Sequence, residues 1–247
     1  MKKLMIFDFD GTLYRGDEPF RYYARLAAQA MPSNTAQKYL QNLEFYLQGR
    51  FPLDVEDPWE AVVALGQALL QGTAANDSAT SAEVAATTER DFWEAAFLKT
   101  RDYMLEDLCP LEVPPALVEF LKDARGLATL VVASNSPPQA TIPLLAKLQL
   151  SDYFDMIQTE TNKPIGLLPL VGRLDPDDVI PKYLIMSVGD NYRNEIAPAR
   201  QAGWQTAYIN PRNEFRGPCT HQGRTIEELI PALQAWLTSS ENHTVGK

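Results

Sequence analysis

The stretch Leu4-Met5-Ile6-Phe7-Asp8-Phe9-Asp10-Gly11-Thr12-Leu13-Tyr14 decides the fold. Residues 4–7 form an unbroken apolar run that ends in two carboxylates and a glycine. A strand covered on both faces reads this way, without the alternation of a half-exposed one. Two acids spaced two apart at its carboxyl end can face one crevice, which is where open α/β sheets bind ligands. Gly11 then lets the chain turn sharply away. Taken alone, the same residues could be an acidic turn without chemistry.

The pattern recurs down the chain. Residues 130–133, 183–188 and 206–209 are apolar, β-rich runs with polar ends, and 156–159 is a weaker fifth. Helical stretches lie between them: 114–125, with Pro115 and Gly126 as start and stop signals, the amphipathic 139–148, and a helix opened by Thr225 in a capping box with Glu228. Strands alternating with helices predict a doubly wound parallel α/β sheet, Rossmann-like in arrangement. The interval 15–108 breaks the rhythm with helical patterns and no strand. Asp17, Ser33, Asp57 before Pro58, and Thr80 with Glu83 are its helix-start signals, and 71–81 reads as an exposed linker. The expected division is a core of 1–14 and 109–240, an all-helical insert of 15–108 and a flexible tail of 241–247.

Bulk properties narrow the class. The 247 residues are 45% hydrophobic and 22% charged, ordinary soluble usage, with no apolar run near the roughly 20 residues of a membrane span. The first residues lead directly into an acid-terminated strand, the wrong shape for a secretory signal, so a cytoplasmic location is expected. Cys109 and Cys219 have no zinc-type spacing and read as reduced thiols. A net charge of −10 argues against binding to a nucleic-acid polymer, which rewards clustered Lys and Arg.

Three further polar segments follow the later strands. Ser134-Asn135-Ser136 offers a hydroxyl and backbone amides ahead of a helix, a phosphate cradle or equally a set of helix caps. Lys163-Pro164 supplies a cation that could hold an anion, or an ordinary surface lysine. Gly189-Asp190-Asn191-Tyr192-Arg193-Asn194-Glu195 adds acids suited to a hard cation such as Mg²⁺.

In order and spacing, these segments resemble the four signature motifs of the haloacid dehalogenase (HAD) superfamily, and the resemblance spans the whole core. By position it implies Asp8 as nucleophile, Asp10 as general acid/base, Ser134 and the amide of Asn135 holding phosphoryl oxygens, and Lys163 orienting Asp8. It implies Mg²⁺ between the Asp8 side chain, the Asp10 carbonyl and the Asp190 side chain, with Glu195 in support where the family more often has Asp. The insert's position resembles the helical cap of the first type, which points to a small-molecule phosphate ester as substrate. Dehalogenase members lack an acid at the Asp10 position, because a halide leaving group needs no proton; Asp10 therefore favours phosphoryl transfer. A phosphomutase, a nucleotidase and a non-catalytic binding protein on this scaffold stay open as alternatives. Tyr14, Arg15, Arg21, Arg50 and Arg101 are candidates for specificity, against the simpler reading of surface or paired side chains. The aromatic residues Tyr22, Tyr23, Tyr39, Phe45, Tyr46, Phe92, Trp93 and Phe97, at helical spacing, read as core. His221 and His243 are given no catalytic role.

Overall fold

The computed structural model describes residues 2–74 and 82–239. In chain order the elements are β1 (Lys3–Phe7), α1 (Glu18–Ala28), α2 (Ser33–Leu47), α3 (Pro58–Ala74), α4 (Ala82–Met104), α5 (Pro115–Ala124), β2 (Ala128–Ala133), α6 (Pro138–Lys147) and β3 (Met156–Gln158). They continue with α7 (Leu167–Leu174), β4 (Ile185–Gly189), α8 (Ala197–Gln201), β5 (Gln205–Ile209), β6 (His221–Gly223) and α9 (Ile226–Thr238). Two compact units result, one of Met1–Arg15 with Glu112–Lys247 and the other of Gly16–Leu111.

In the first unit all six strands are parallel, in the order β3-β2-β1-β4-β5-β6. This is the Rossmann-like α/β arrangement, and the strand order reverses between β1 and β4. Every residue of β1 and β4 is buried, which explains their largely apolar composition, Lys3 and Ser187 being the polar members. Leu4, Ile6, Val131, Ala133 and Ile185 share one sheet face and pack on Leu167, Leu170 and Val171 of α7 and Ala199 of α8. Burying a Leu or Ile side chain of this size contributes about 1.5–3 kcal/mol.

The second unit is helical, α1 to α4, with its own core of Tyr23, Tyr39, Leu43, Tyr46, Leu65 and Trp93 among others. Phe20, Phe92 and Phe97 pack against it. Two of its buried phenols are partnered within the unit: Tyr39 donates to Val62 O at 2.8 Å and Tyr23 to Trp93 O at 3.1 Å. Such partners are what allow tyrosine into a core.

Several local expectations need correction. Tyr183 and Leu184 lie in a 3₁₀ turn, Lys182–Leu184, and not in the fourth strand; Pro181 precedes the turn, and the pairing with β1 begins only at Ile185. The box at Thr225 is shifted by one residue: Glu228 Oε2 accepts from Arg224 N at 2.7 Å, and the Thr225 side chain makes no cap bond. Asp17 is the N-cap residue of α1 without a side-chain cap bond, its carboxylate facing Arg21 instead at 3.6 Å, and Ser33 is the first residue of α2 behind Pro32. Asp57 does cap, accepting from Glu60 N at 2.9 Å. Helix α3 continues through residues 71–74, so the expected linker begins later than its composition suggests. The rest of that linker, Thr80 and the tail 241–247 lie outside the described residues.

Candidate active site

The site is assembled at the reversal point of the sheet. The ladder between β1 and β4 carries one bond past the last strand residue, Asp8 N to Val188 O at 2.9 Å, so Asp8 leaves the sheet beside the end of β4. Beyond it Leu13 N donates to Phe9 O at 3.0 Å, closing a single turn. Gly11 sits at φ 78°, and a Cβ there would lie 2.2 Å from Asp190 Oδ2. The Asp190 carboxylate therefore rests against the backbone that follows Asp10. Asp8, Asp10 and Asp190 are thereby collected at the ends of two adjacent strands.

Lys163 arrives from the other side. The chain beyond β3 folds onto the end of β2 through Ser134 N to Gln158 O at 2.9 Å, Thr161 N to Ser134 O at 2.9 Å and Glu160 N to Ser136 O at 3.1 Å. Glu160 and Asn162 adopt left-handed conformations here, φ 48° and 57°. Asn135 fixes the loop with its side chain, accepting from Lys163 N at 2.6 Å and donating to Lys163 O at 3.0 Å. The Lys163 ammonium then lies 2.6 Å from Asp8 Oδ1 and 2.8 Å from Glu195 Oε1, with only 2% of its side chain exposed.

Glu195 belongs to a π-helical turn, Tyr192–Ile196, a rare conformation often found at functional sites. Ser187 of β4 donates to the Glu195 carbonyl at 2.9 Å, and Glu195 Oε2 accepts from Asn191 N at 2.8 Å. A Cβ on Gly189 would meet Glu195 Cγ at 2.6 Å, so a glycine there is what lets this carboxylate come in. With one oxygen on Lys163 and the other on the Asn191 amide, Glu195 stands behind Lys163.

Negative charge is in excess. Burial pushes the Asp8 carboxyl above its ordinary value; Lys163 opposes the shift and the Asp10 charge adds to it. Burial likewise pushes Glu195 up to about 8, against the pull of Lys163. Burial alone would lower the Lys163 ammonium, but Asp8 and Glu195 outweigh it and raise it. One lysine thus serves two buried carboxylates with a third beside them, an environment that favours a further cation. Among the described residues no three His, Cys, Asp or Glu side chains form a ready-made metal group. The donors at the two strand ends are oxygens throughout, carboxylates and main-chain carbonyls, a chemistry that fits Mg²⁺.

Two partners of Asp10 were not legible as such. Its Oδ1 accepts the hydroxyl of Tyr14, and its Oδ2 accepts Ser136 Oγ at 3.3 Å. Both residues lie inside the quoted motifs, but nothing in their spacing announces that they meet. Ser134 is buried, and its hydroxyl accepts from Ser136 N at 3.1 Å. The arginine candidates are engaged elsewhere. Arg15 pairs with Glu112 and Glu227, Arg21 with Glu44, Arg50 bonds Gln48 and stacks on Phe45, and Arg101 is buried against Trp59 and Phe97.

A family model described as haloacid dehalogenase-like hydrolase matches residues 2–203, and the chain belongs to that family. No curated protein matches it significantly. Among solved structures it is similar to Bacillus subtilis YfnB bound to magnesium, with a TM-score of 0.61, 17% identity, and 94% of this chain and 98% of the other covered. A predicted phosphoglycolate phosphatase from Haemophilus somnus 129PT gives 0.61 at 15% identity, over 94% and 98%. The L-2-haloacid dehalogenase of Xanthobacter autotrophicus gives 0.53 at 16%, over 95% and 99%. At these identities the likeness shows the fold. Among the described residues no helix is long and apolar enough to cross a membrane.

Proposed function

We propose that the protein is a Mg²⁺-dependent phosphatase that hydrolyses a small-molecule phosphate monoester through an aspartyl-phosphate on Asp8. The observation that carries this reading is the pairing of roles at the end of β1: Asp8 is held by Lys163 at 2.6 Å, while Asp10 is a second carboxylate gripped by hydroxyls. Displacement of a halide calls for no proton, whereas an alkoxide leaving group does. Asp10 is the group that could supply it, so the second acid favours the phosphatase over the dehalogenase among the structural neighbours.

In the first step an Asp8 oxygen attacks phosphorus. The ester P–O bond breaks with its electron pair leaving on oxygen, and that oxygen takes a proton from Asp10 to give the alcohol. In the second step water attacks the phosphorus and gives its proton to Asp10. The acyl-phosphate P–O bond breaks back to the Asp8 carboxylate, and inorganic phosphate is released. Lys163 screens the repulsion between Asp8 and the phosphate dianion and stabilises charge on the transferring group. Ser134 and the Asn135 amide would bind phosphoryl oxygens, while the Asn135 side chain keeps Lys163 in place. The Asp8 and Asp190 carboxylates with the Asp10 carbonyl would hold the metal, with Glu195 acting behind them through Lys163. When bound, Mg²⁺ supplies Lewis-acid charge neutralisation at the phosphoryl oxygens.

The test is a panel of phosphate monoesters assayed for phosphate release with Mg²⁺ and after chelation, on wild type, Asp8→Asn and Asp10→Asn. Turnover should require the metal, vanish in Asp8→Asn and fall severely in Asp10→Asn. Activity within a few-fold of wild type in either variant, or no turnover by wild type across the panel, rejects the reading.

A further inference from the structure

We propose that Tyr14 is a positioning residue for Asp10: its hydroxyl holds the carboxylate in the orientation from which the proton reaches the leaving group. The proposal rests on the phosphatase reading above.

Three features converge on Tyr14. Its side chain is fixed, because the residue is 5% exposed and its ring packs edge-on against Phe9 at 5.2 Å and 62°. Its hydroxyl donates to Asp10 Oδ1 across the single turn that begins at Phe9. The opposite carboxylate oxygen, Oδ2, accepts from Ser136 Oγ at 3.3 Å, a residue brought from the end of β2. The Asp10 carboxylate is thus held at both oxygens, by a rigid phenol on its own strand's extension and by a serine from the neighbouring strand. A buried aromatic ring has few rotamers to lose, so its hydroxyl is a fixed reference point, whereas a serine hydroxyl can change place among three χ1 wells. Proton transfer is sensitive to donor–acceptor geometry at the level of hydrogen-bond reach, so Asp10 needs such a reference.

This role differs from a structural one in what it predicts for different leaving groups. A p-nitrophenolate departs without a proton, whereas an alkoxide does not. Formation of the aspartyl-phosphate from an alkyl ester therefore depends on Asp10 orientation, and formation from the aryl ester does not. Hydrolysis of the aspartyl-phosphate needs Asp10 as a base in both cases.

The experiment compares Tyr14→Phe with wild type on p-nitrophenyl phosphate and on an alkyl phosphate that the wild type hydrolyses. Phenylalanine keeps the ring and removes the hydroxyl. kcat/KM for the alkyl ester should fall at least tenfold more than for the aryl ester, while kcat for the aryl ester falls as phosphorylated enzyme accumulates in acid-quenched samples. The ratio of the two kcat/KM values is independent of how much of the variant is folded, so loss of protein cannot imitate the effect. Equal losses on both esters, or no loss on either, overturn the proposal while leaving the phosphatase reading intact. Absence of wild-type turnover on every ester instead removes the reading on which it rests.

Discussion

At Gly11 a hydrogen atom stands where any other residue would place a carbon 2.2 Å from Asp190 Oδ2, in a conformation, φ 78°, that side chains rarely adopt. Gly11→Ala therefore separates folding from function. The backbone cost is about 1–2 kcal/mol, which a domain of ordinary stability tolerates, whereas the added carbon must push the Asp190 carboxylate aside. Displacement of a catalytic-site group by an ångström can cost roughly 100-fold in rate. Gly11→Ala should thus melt cooperatively near the wild-type temperature while losing activity by about that factor and needing more Mg²⁺ to recover it. An unchanged Mg²⁺ requirement would show that Asp190 is not a ligand. The residues of this site were visible in sequence because each follows a strand, but their partners were not. That Glu195 reaches Lys163 and Ser136 reaches Asp10 depends on a π-turn and on loop closure between elements far apart in the chain, whereas Tyr14 reaches Asp10 through the single turn that begins at Phe9.

At the level of elements, legibility followed burial. β1, β4 and most of β2 and β5 are covered on both faces, so each holds a run of apolar residues that is legible as a strand. β6 is a three-residue edge strand, His-Gln-Gly, with only Gly223 buried; it carries no periodicity that could be read. α7 has only eight residues and follows directly from the Lys163 loop, too short a stretch for a 3.6-residue apolar period to show. The strand β1 also does something its sequence hides. Lys3 is buried, and its ammonium donates to Leu237 O at 2.9 Å, Ser239 O at 3.0 Å, Ser239 Oγ at 3.1 Å and the Trp236 carbonyl. It thereby binds the carbonyls at the carboxyl end of α9, where intrahelical donors run out and the Trp236 carbonyl also accepts from Ser239 N and Oγ, at the end of the helix dipole that favours a cation. Lys3→Met keeps the stem and removes the charge. Its expected cost is about 2 kcal/mol, the scale of losing charge-assisted bonds to buried carbonyls, read as a lower midpoint in urea at unchanged slope. A midpoint within error of wild type would show that water replaces the ammonium freely.

For the whole molecule, the junction at the two ends of the helical unit invites a direct test of independence. Arg15 and Glu112 exchange both main-chain bonds, Arg15 N to Glu112 O and Glu112 N to Arg15 O, each 2.9 Å, so they form a hydrogen-bonded antiparallel pair. Their side chains reinforce it: Arg15 Nε and Nη2 lie 3.1 and 2.5 Å from the two Glu112 oxygens, and Nη1 lies 2.8 Å from Glu227 of α9. A pair of this kind is the geometry that a two-residue type I′ loop closes, with Asn-Gly the favoured sequence. The chain in which Asn-Gly replaces residues 16–111 should therefore fold as the α/β unit alone, because the sheet and the cluster packed on Leu4, Ile6 and Ile185 lie wholly within it. Expected are a soluble protein with mixed α/β circular dichroism, sharp thermal unfolding and no binding of a hydrophobic dye. A species that binds the dye and melts without a transition would mean that the parallel sheet depends on the helical unit for its stability. Each unit would then be a compact part of one cooperative fold, and the Arg15–Glu112 pair a consequence of that fold and not the closure of a separable domain.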